Sequence, residues 1–318
     1  MVSQVLASVP ERLAAVVERW PEIEPQLRRL QEKRWRQLGH SLIAGVLSVA
    51  AVLAVAVAAD AKFSADGDLF VALLPVGAAL GIIVAIVGGW KADRQSAVAG
   101  RILRIHTTRA LGLVYRHAAG TFPLERFASN GVLPEFDRAH LEDLVYGEVS
   151  GVPIIFCDAT LDAEIQKSHL TVFRGPLVLS RFPKLAHGRT LVVPDSGSVG
   201  NFFWGMGEEH RRRVRMESPD FERVFAVYST DQVEARYLLT PTVMERLLAL
   251  RRRFSGRITV GFSGHEFMLT LDDRRDWFPD PGLFQDLTDP ALIREQAEEI
   301  ARIAEIVEIL KLNLDTRA

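Results

Sequence analysis

The chain has little cysteine: one residue, Cys157, in 318. A lone thiol closes no internal disulfide and builds no cysteine-based zinc site, so secreted disulfide scaffolds are excluded. Excess charge of either sign is also missing. The 38 Lys and Arg against 40 Asp and Glu leave a net charge of -2, no footprint for nucleic acid. The strong catalytic signatures are absent as well: no GxxxxGK[ST], no GxGxxG after a strand, no HExxH and no GxSxG. Gly205-Met206-Gly207 lacks the third glycine of a nucleotide loop. Of the eight histidines (His40, His106, His117, His140, His169, His187, His210 and His265), none stands four residues from another. No cofactor and no metal site is expected from these patterns.

Charge is scarcest in two places. Ser41 to Ala59 and Leu69 to Trp90 hold no charged residue over 19 and 22 positions. At about 1.5 Å per residue, each helix could cross a hydrocarbon layer roughly 30 Å thick. Buried core helices are a poor alternative at this length. Pro75 is tolerated in a span, where neighbours re-satisfy the freed carbonyl. The first 40 residues are too polar for a cleaved leader, so the segment is expected to stay on the mature protein. Between the spans, Asp60, Asp66 and Asp68 face Lys62. Outside them lie Arg28, Arg29, Lys33, Arg34 and Arg36 on one side and Lys91, Arg94, Arg101, Arg104 and Arg109 on the other. The excess of positive charge outside the hairpin puts both termini in the cytoplasm, and a reducing compartment suits the lone thiol.

No ionisable residue lies within the spans, so they offer no proton relay or ion site. Gly77 and Gly81 form a GxxxG match, and Ala50, Ala54 and Ala58 give the first span a small-residue face. Close helix packing is expected, either within the chain or as self-association through Gly77 and Gly81; glycine and alanine are also simply common in spans.

Residues 2–38 are predicted helical in two pieces. The first carries Val5, Leu6, Val9, Leu13, Val16 and Val17; after Pro21 and Pro25, Leu27, Leu30, Trp35 and Leu38 resume the spacing. This segment suits the membrane interface or a face of the C-terminal domain. Beyond the spans, a helix is predicted over about 92–119, followed by an irregular connector marked by Gly120, Pro123, Gly131 and Pro134. Strands are predicted at 145–149, 152–157, 171–182, 190–193 and 221–228, and a hairpin joins 257–262 to 266–271 through Ser263-Gly264-His265. Thr240-Pro241 starts a helix, and a closing helix covers about 290–314. The fold class is α+β: a two-helix transmembrane hairpin followed by a cytoplasmic domain with a mostly antiparallel sheet and packed helices. The divisions are an N-terminal helical segment (1–40), the hairpin (41–90), a helical connector (91–142) and the α+β domain (143–318).

Two polar features remain. Asp231, Gln232, Glu234, Arg236 and Tyr237 form the densest polar run. They read either as an acid/base or anion site or as a structural network pinning a turn to the sheet; the second is favoured because no serine–histidine or cysteine–histidine pair accompanies them. Arg211, Arg212, Arg213 and Arg215, and Arg251, Arg252 and Arg253, could touch anionic headgroups; the competing reading is solvated arginines paired with Glu208, Glu209 or Glu217.

The runs Phe221–Tyr228, Asp231–Pro241 and Met244–Leu247 resemble a bacterial family known as domain of unknown function 3137. Glu142–Val145 with Gly147, Phe173–Gly175 leading to Phe182–Lys184, Gly188–Thr190 with Pro194-Asp195, and the closing Leu312-Asn313 and Thr316-Arg317 are similar too. Pro176 departs from the family pattern within an apolar strand, as does Ala318, where an aromatic residue is expected. The resemblance implies the two-span topology, a bacterial inner-membrane location and, through encoded neighbours, a LemA-type membrane protein as partner. It transfers no catalytic residue. The expected function is to tether a cytoplasmic interaction module for protein or membrane; the alternative is a membrane-bound enzyme or ligand-binding domain using Asp231, Glu234 and Arg236.

Overall fold

The computed structural model describes residues 18, 20–63, 68–165, 167–195 and 212–310. The expected first N-terminal piece, Gly205–Gly207, Arg211 and the chain beyond 310 lie outside the described residues. Two compact units emerge. Of the described residues, one holds 18–104 with 279–294, and the other 105–278 with 295–310.

The first unit is built on two long helices, α1 (Trp20–Phe63) and α2 (Asp68–Ala110). The apolar runs 41–59 and 69–90 lie inside them. The expected break at Pro21 and Pro25 does not occur: α1 is continuous with Pro25 inside. Pro25 forfeits one backbone hydrogen bond of the ladder, but Ile23 and Leu27 are fully buried on either side of it and hold the helix by packing. The two helices run antiparallel and meet through glycine. A Cβ placed on Gly45 would lie 3.4 Å from the Gly81 carbonyl oxygen, and one on Gly81 would lie 2.9 Å from Val49. Gly77 faces Val52, and a side chain on Gly88 would collide with Ser41. The Gly77/Gly81 pair thus packs against the other helix of its own chain, whereas Ala50, Ala54 and Ala58 are exposed.

In the second unit, α2 ends earlier than expected. Gly112, at φ +77°, turns the chain, and residues 113–118 are a strand, β1 (Leu113–Ala118), instead of helix. A short helix, α3 (Leu124–Ser129), interrupts the connector. Then come β2 (Arg138–Val149), β3 (Val152–Ile165), β4 (Ser168–Pro194), β5 (Arg212–Val214), α4 (Pro219–Glu222), β6 (Phe225–Ser229), α5 (Gln232–Leu238), α6 (Pro241–Arg253), β7 (Arg257–Asp272) and α7 (Ala291–Leu310). Ser150 (φ +52°) and Gly151 (φ +77°) make the two-residue turn that joins β2 to β3.

All seven strands pair antiparallel, in the order β1-β2-β3-β4-β6-β5, with β7 also on β4. The layout is α+β. The 27-residue β4 is its spine: its first part pairs with β3, its last residues with β6, and 177–192 with β7. The predicted hairpin within 257–271 is absent. Gly264 (φ +59°) sits where β7 bends past an irregularity in β4 between Arg181 and Arg189, and the strand continues. Nor is 221–228 one strand. Ser218 caps a helical turn by accepting from the Phe221 amide at 3.3 Å, so the strand starts at Phe225. Pro176 leaves β4 unbroken, because the β7 register stops at Leu177 and the missing N–H falls outside that ladder.

The sheet is buried on both faces. Ile154, Phe156, Val178 and Val192 join one core with α6 and α7, while Cys157, Ala159, Leu177, Leu179, Leu191 and Val193 join a second with Phe127 of α3. Successive side chains of a strand point to opposite faces, so two buried faces demand unbroken apolar runs such as Leu177-Val178-Leu179. As predicted, Thr240 caps α6, accepting from the Val243 amide, with Pro241 in the first turn.

Gly175, at φ +146°, lies where a side chain would run into the Leu271 carbonyl oxygen. Gly175→Ala is expected to destabilise the fold by more than about 1 kcal/mol, seen as a lower thermal midpoint of the full-length chain; an unchanged midpoint contradicts this packing.

Candidate functional site

The long helix pair carries the largest apolar surface among the described residues. Leu42, Ile43, Val46 and Leu47 of α1 and Ile82, Ile83, Ile86 and Trp90 of α2 are exposed, and only 11% of the most apolar window of each helix is buried. A core helix of a soluble protein buries such a stripe. The surface here faces outward along both helices.

Past the apolar runs, the segment 279–290 is strapped to the same pair by two buried arginines. Arg34 is fully buried; it donates to Ser96 Oγ at 3.2 Å, to Gln31 Oε1 at 2.7 Å and to the carbonyls of Gly282 (3.1 Å) and Gln285. Its Nε finds no partner, and burial pushes its pKa down. Arg104 donates to Asp280 at 2.8 Å. A side chain on Gly100 would strike the same carboxylate, so glycine admits the loop there. These arginines were read from the sequence only as flanking positive charge; their burial could not be seen without the loop.

The polar run 231–237 forms α5 and its cap. Asp231 Oδ1 accepts from the amides of Val233 (2.8 Å) and Glu234 (3.1 Å), as an N-cap does. The two carboxylate oxygens of Glu234 accept from the His187 amide and, at 2.7 Å, the Gly188 amide on the irregular stretch of β4. Lys184 donates to the Tyr237 carbonyl at 2.8 Å, and its ammonium lies 4.3 Å from the Tyr237 ring centroid. Gln232 is exposed, and its carbonyl accepts from Arg236 at 3.3 Å. Glu234 therefore binds together two runs that carry the family resemblance, 188–190 and 231–241.

Among the described residues the arginine runs do not converge on one acceptor. Arg213 meets Asp195 at 3.3 Å, Arg253 meets Glu305 at 2.6 Å, and Arg251 donates to the Phe254 carbonyl at 3.2 Å. Arg212, Arg215 and Arg252 are exposed.

A group that the sequence reading missed is buried in β3, beside the segment that follows β7. Asp158 accepts from the Ala159 amide at 3.0 Å and from the Trp277 amide at 3.2 Å. Burial raises its carboxyl to about 7; repulsion from Asp276 and Asp143 adds to this, while the two amides oppose it. The neighbouring Cys157 thiol is pushed well up by the same burial. Trp277 also donates from Nε1 to Asp273 at 3.1 Å, and Asp272 is held by Arg257 at 2.6 Å and Arg274 at 3.3 Å. On the neighbouring strand, Asp143 stands at φ +56° in the β2 irregularity and accepts from the Tyr115 hydroxyl. The usable signal was an acidic residue inside the apolar run Ile154–Ala159, since buried carboxylates need stated partners. Among the described residues no group of three or more His, Cys, Asp or Glu is placed to hold a metal.

Residues 171–312 match the model of a family described as a protein of unknown function, DUF3137. No curated protein matches the chain. A solved structure, that of the mycobacterial trehalose monomycolate transport factor A, TtfA, is similar with a TM-score of 0.35 and 12% identity, over 67% of this chain and 96% of that one. A likeness at that score carries no argument about fold or activity.

Two measurements probe these polar groups. A carboxyl whose folded pKa is raised stabilises the fold fully below its unfolded value and loses that contribution as pH rises to the folded value. For Asp158 the window runs from about 4 to about 7. Wild-type stability relative to Asp158→Asn should fall across it, by at most ~1.4 kcal/mol per pH unit, and be flat above; a difference independent of pH refutes the raised carboxyl. Glu234→Gln leaves one backbone amide facing an NH2 and should cost about 1–3 kcal/mol, measured as a lower unfolding midpoint; full stability would show that the cap does not pin α5.

Proposed function

We propose that the chain is a bacterial inner-membrane protein whose hairpin, 41–59 and 69–90, spans the bilayer and tethers the α+β unit on the cytoplasmic side. There the unit serves as an interaction module for protein or membrane surface. The observation that carries this reading is the exposure of the apolar side chains along both helices, with 11% of each apolar window buried. A patch of that extent needs a non-aqueous partner. The orientation is supported by Arg28, Arg29, Lys33, Arg36, Lys91 and Arg94 outside the hairpin, against Asp60, Asp66 and Asp68 between its arms.

An interaction role is favoured over a catalytic one by the engagement of the densest polar run. Asp231 is occupied in capping α5, and both oxygens of Glu234 hold backbone amides. An enzyme using them would have to break the cap to reach substrate. A tag at the carboxyl end of the full-length protein should resist protease added to intact spheroplasts and be cleaved once they are lysed; cleavage before lysis overturns the orientation.

A further inference from the structure

Phe284 is 75% exposed at the tip of a tight turn. The Gln285 amide donates to the Gly282 carbonyl at 3.0 Å, and the Gly282 amide donates to Gln285 Oε1 at 3.0 Å. The two residues between them are Leu283 and Phe284, where turn tips favour small or polar residues. Nothing in the turn's own hydrogen bonding calls for a phenyl ring, so the ring's role lies in what it meets.

The contacts of the segment give its course along the helix pair. Asp280 meets Gly100 and Arg104, ten and fourteen residues beyond Trp90, or roughly 15 and 21 Å along the axis. The carbonyls of Gly282 and Gln285 meet Arg34, seven residues before Ser41, and Arg34 reaches Ser96, six residues after Trp90; both lie roughly 10 Å from the apolar runs. The Leu287 amide then donates at 3.2 Å to Gln31, ten residues before Ser41, at roughly 15 Å. The segment descends toward the apolar runs, turns at Gly282–Gln285 and climbs away. Phe284 lies within that turn, between the two carbonyls that meet Arg34.

A bilayer's headgroup layers add roughly 5–8 Å on each side of its hydrocarbon. A phenyl ring leaving a turn at the level of Arg34 is therefore at the outer edge of that layer. At the same end of the pair, Trp35 and Trp90 are 49% and 70% exposed, the placement of an aromatic belt. The segment itself is acidic, with Asp280, Asp286 and Asp289, so the ring and not the segment's charge is what suits it to lipid.

We propose that Phe284 inserts into the headgroup layer of the bilayer that its own hairpin spans, making the turn Gly282–Gln285 a membrane-contacting foot clamped by Arg34. The proposal rests on the hairpin reading above. It is tested on the full-length protein in vesicles of phosphatidylcholine and phosphatidylglycerol, with a nitroxide attached in turn to Phe284→Cys, Val46→Cys and Asp220→Cys. All three positions are exposed, so the changes spare the fold, and buried Cys157 takes up no label. The label at 46 should be reached by oxygen and shielded from an aqueous nickel chelate, and the label at 220 should show the reverse. At 284, nickel access should fall several-fold below that at 220, giving an interfacial depth. Lipid burial at 46 with aqueous access at 284 equal to that at 220 overturns the foot alone. Aqueous access at 46 overturns the hairpin, and the foot with it.

Discussion

A helix whose outer face is Leu42, Ile43, Val46 and Leu47, packed against one that shows Ile82, Ile83 and Ile86, has to find a medium that does not penalise those side chains. In water each Å² of such surface costs about 25 cal/mol. The pair cannot hide the surface by itself, because two helices touch along one stripe only, and the stripe is already used. Gly45, Gly77, Gly81 and Gly88 bring the backbones together and leave the bulky residues outside. The same constraint explains the composition of the runs: small residues where helix meets helix, large aliphatic ones where helix meets its surroundings.

The polar end of the pair is organised by buried arginines that hold the loop 279–290. Among the described residues no carboxylate lies within hydrogen-bonding distance of Arg34; its guanidinium is spread over Ser96, Gln31 and two loop carbonyls. Five fixed donors in one plane allow such a node, which lysine could not reproduce. In the α+β unit the corresponding joints are acidic. Glu234 gathers amides of β4 that its strand pairing leaves free, and Asp158 and Asp273 fix the two N–H groups of Trp277. Backbone donors displaced by an irregular strand need acceptors, and carboxylates supply them.

Much of this is legible in the sequence. The apolar runs declare themselves by length, and the Thr240-Pro241 start of α6 by residue chemistry. The α+β class followed from strands grouped around helices. What escaped was decided by distant partners. Residues 113–118 read as helix because their helical spacing continues that of α2, yet pairing with β2 wins once Gly112 turns the chain. The turn expected at Ser263–His265 has suitable residues, but β4 offers both halves of 257–272 a partner, so the strand runs through. Asp158 and Arg34 looked like ordinary charges because burial is a property of the fold and not of the local run. The roles of Asp231 and Glu234 were visible only as alternatives, since a cap and a catalytic carboxylate share one spelling.

The central claim is that lipid, and not protein, covers the outer faces of α1 and α2. The most direct measurement is density-gradient flotation of cell membranes after alkaline carbonate extraction, which strips peripheral proteins and leaves embedded ones. The account predicts that the full-length chain rises with the lipid fraction. Recovery in the carbonate supernatant would contradict it and return the helix pair to the soluble proteins.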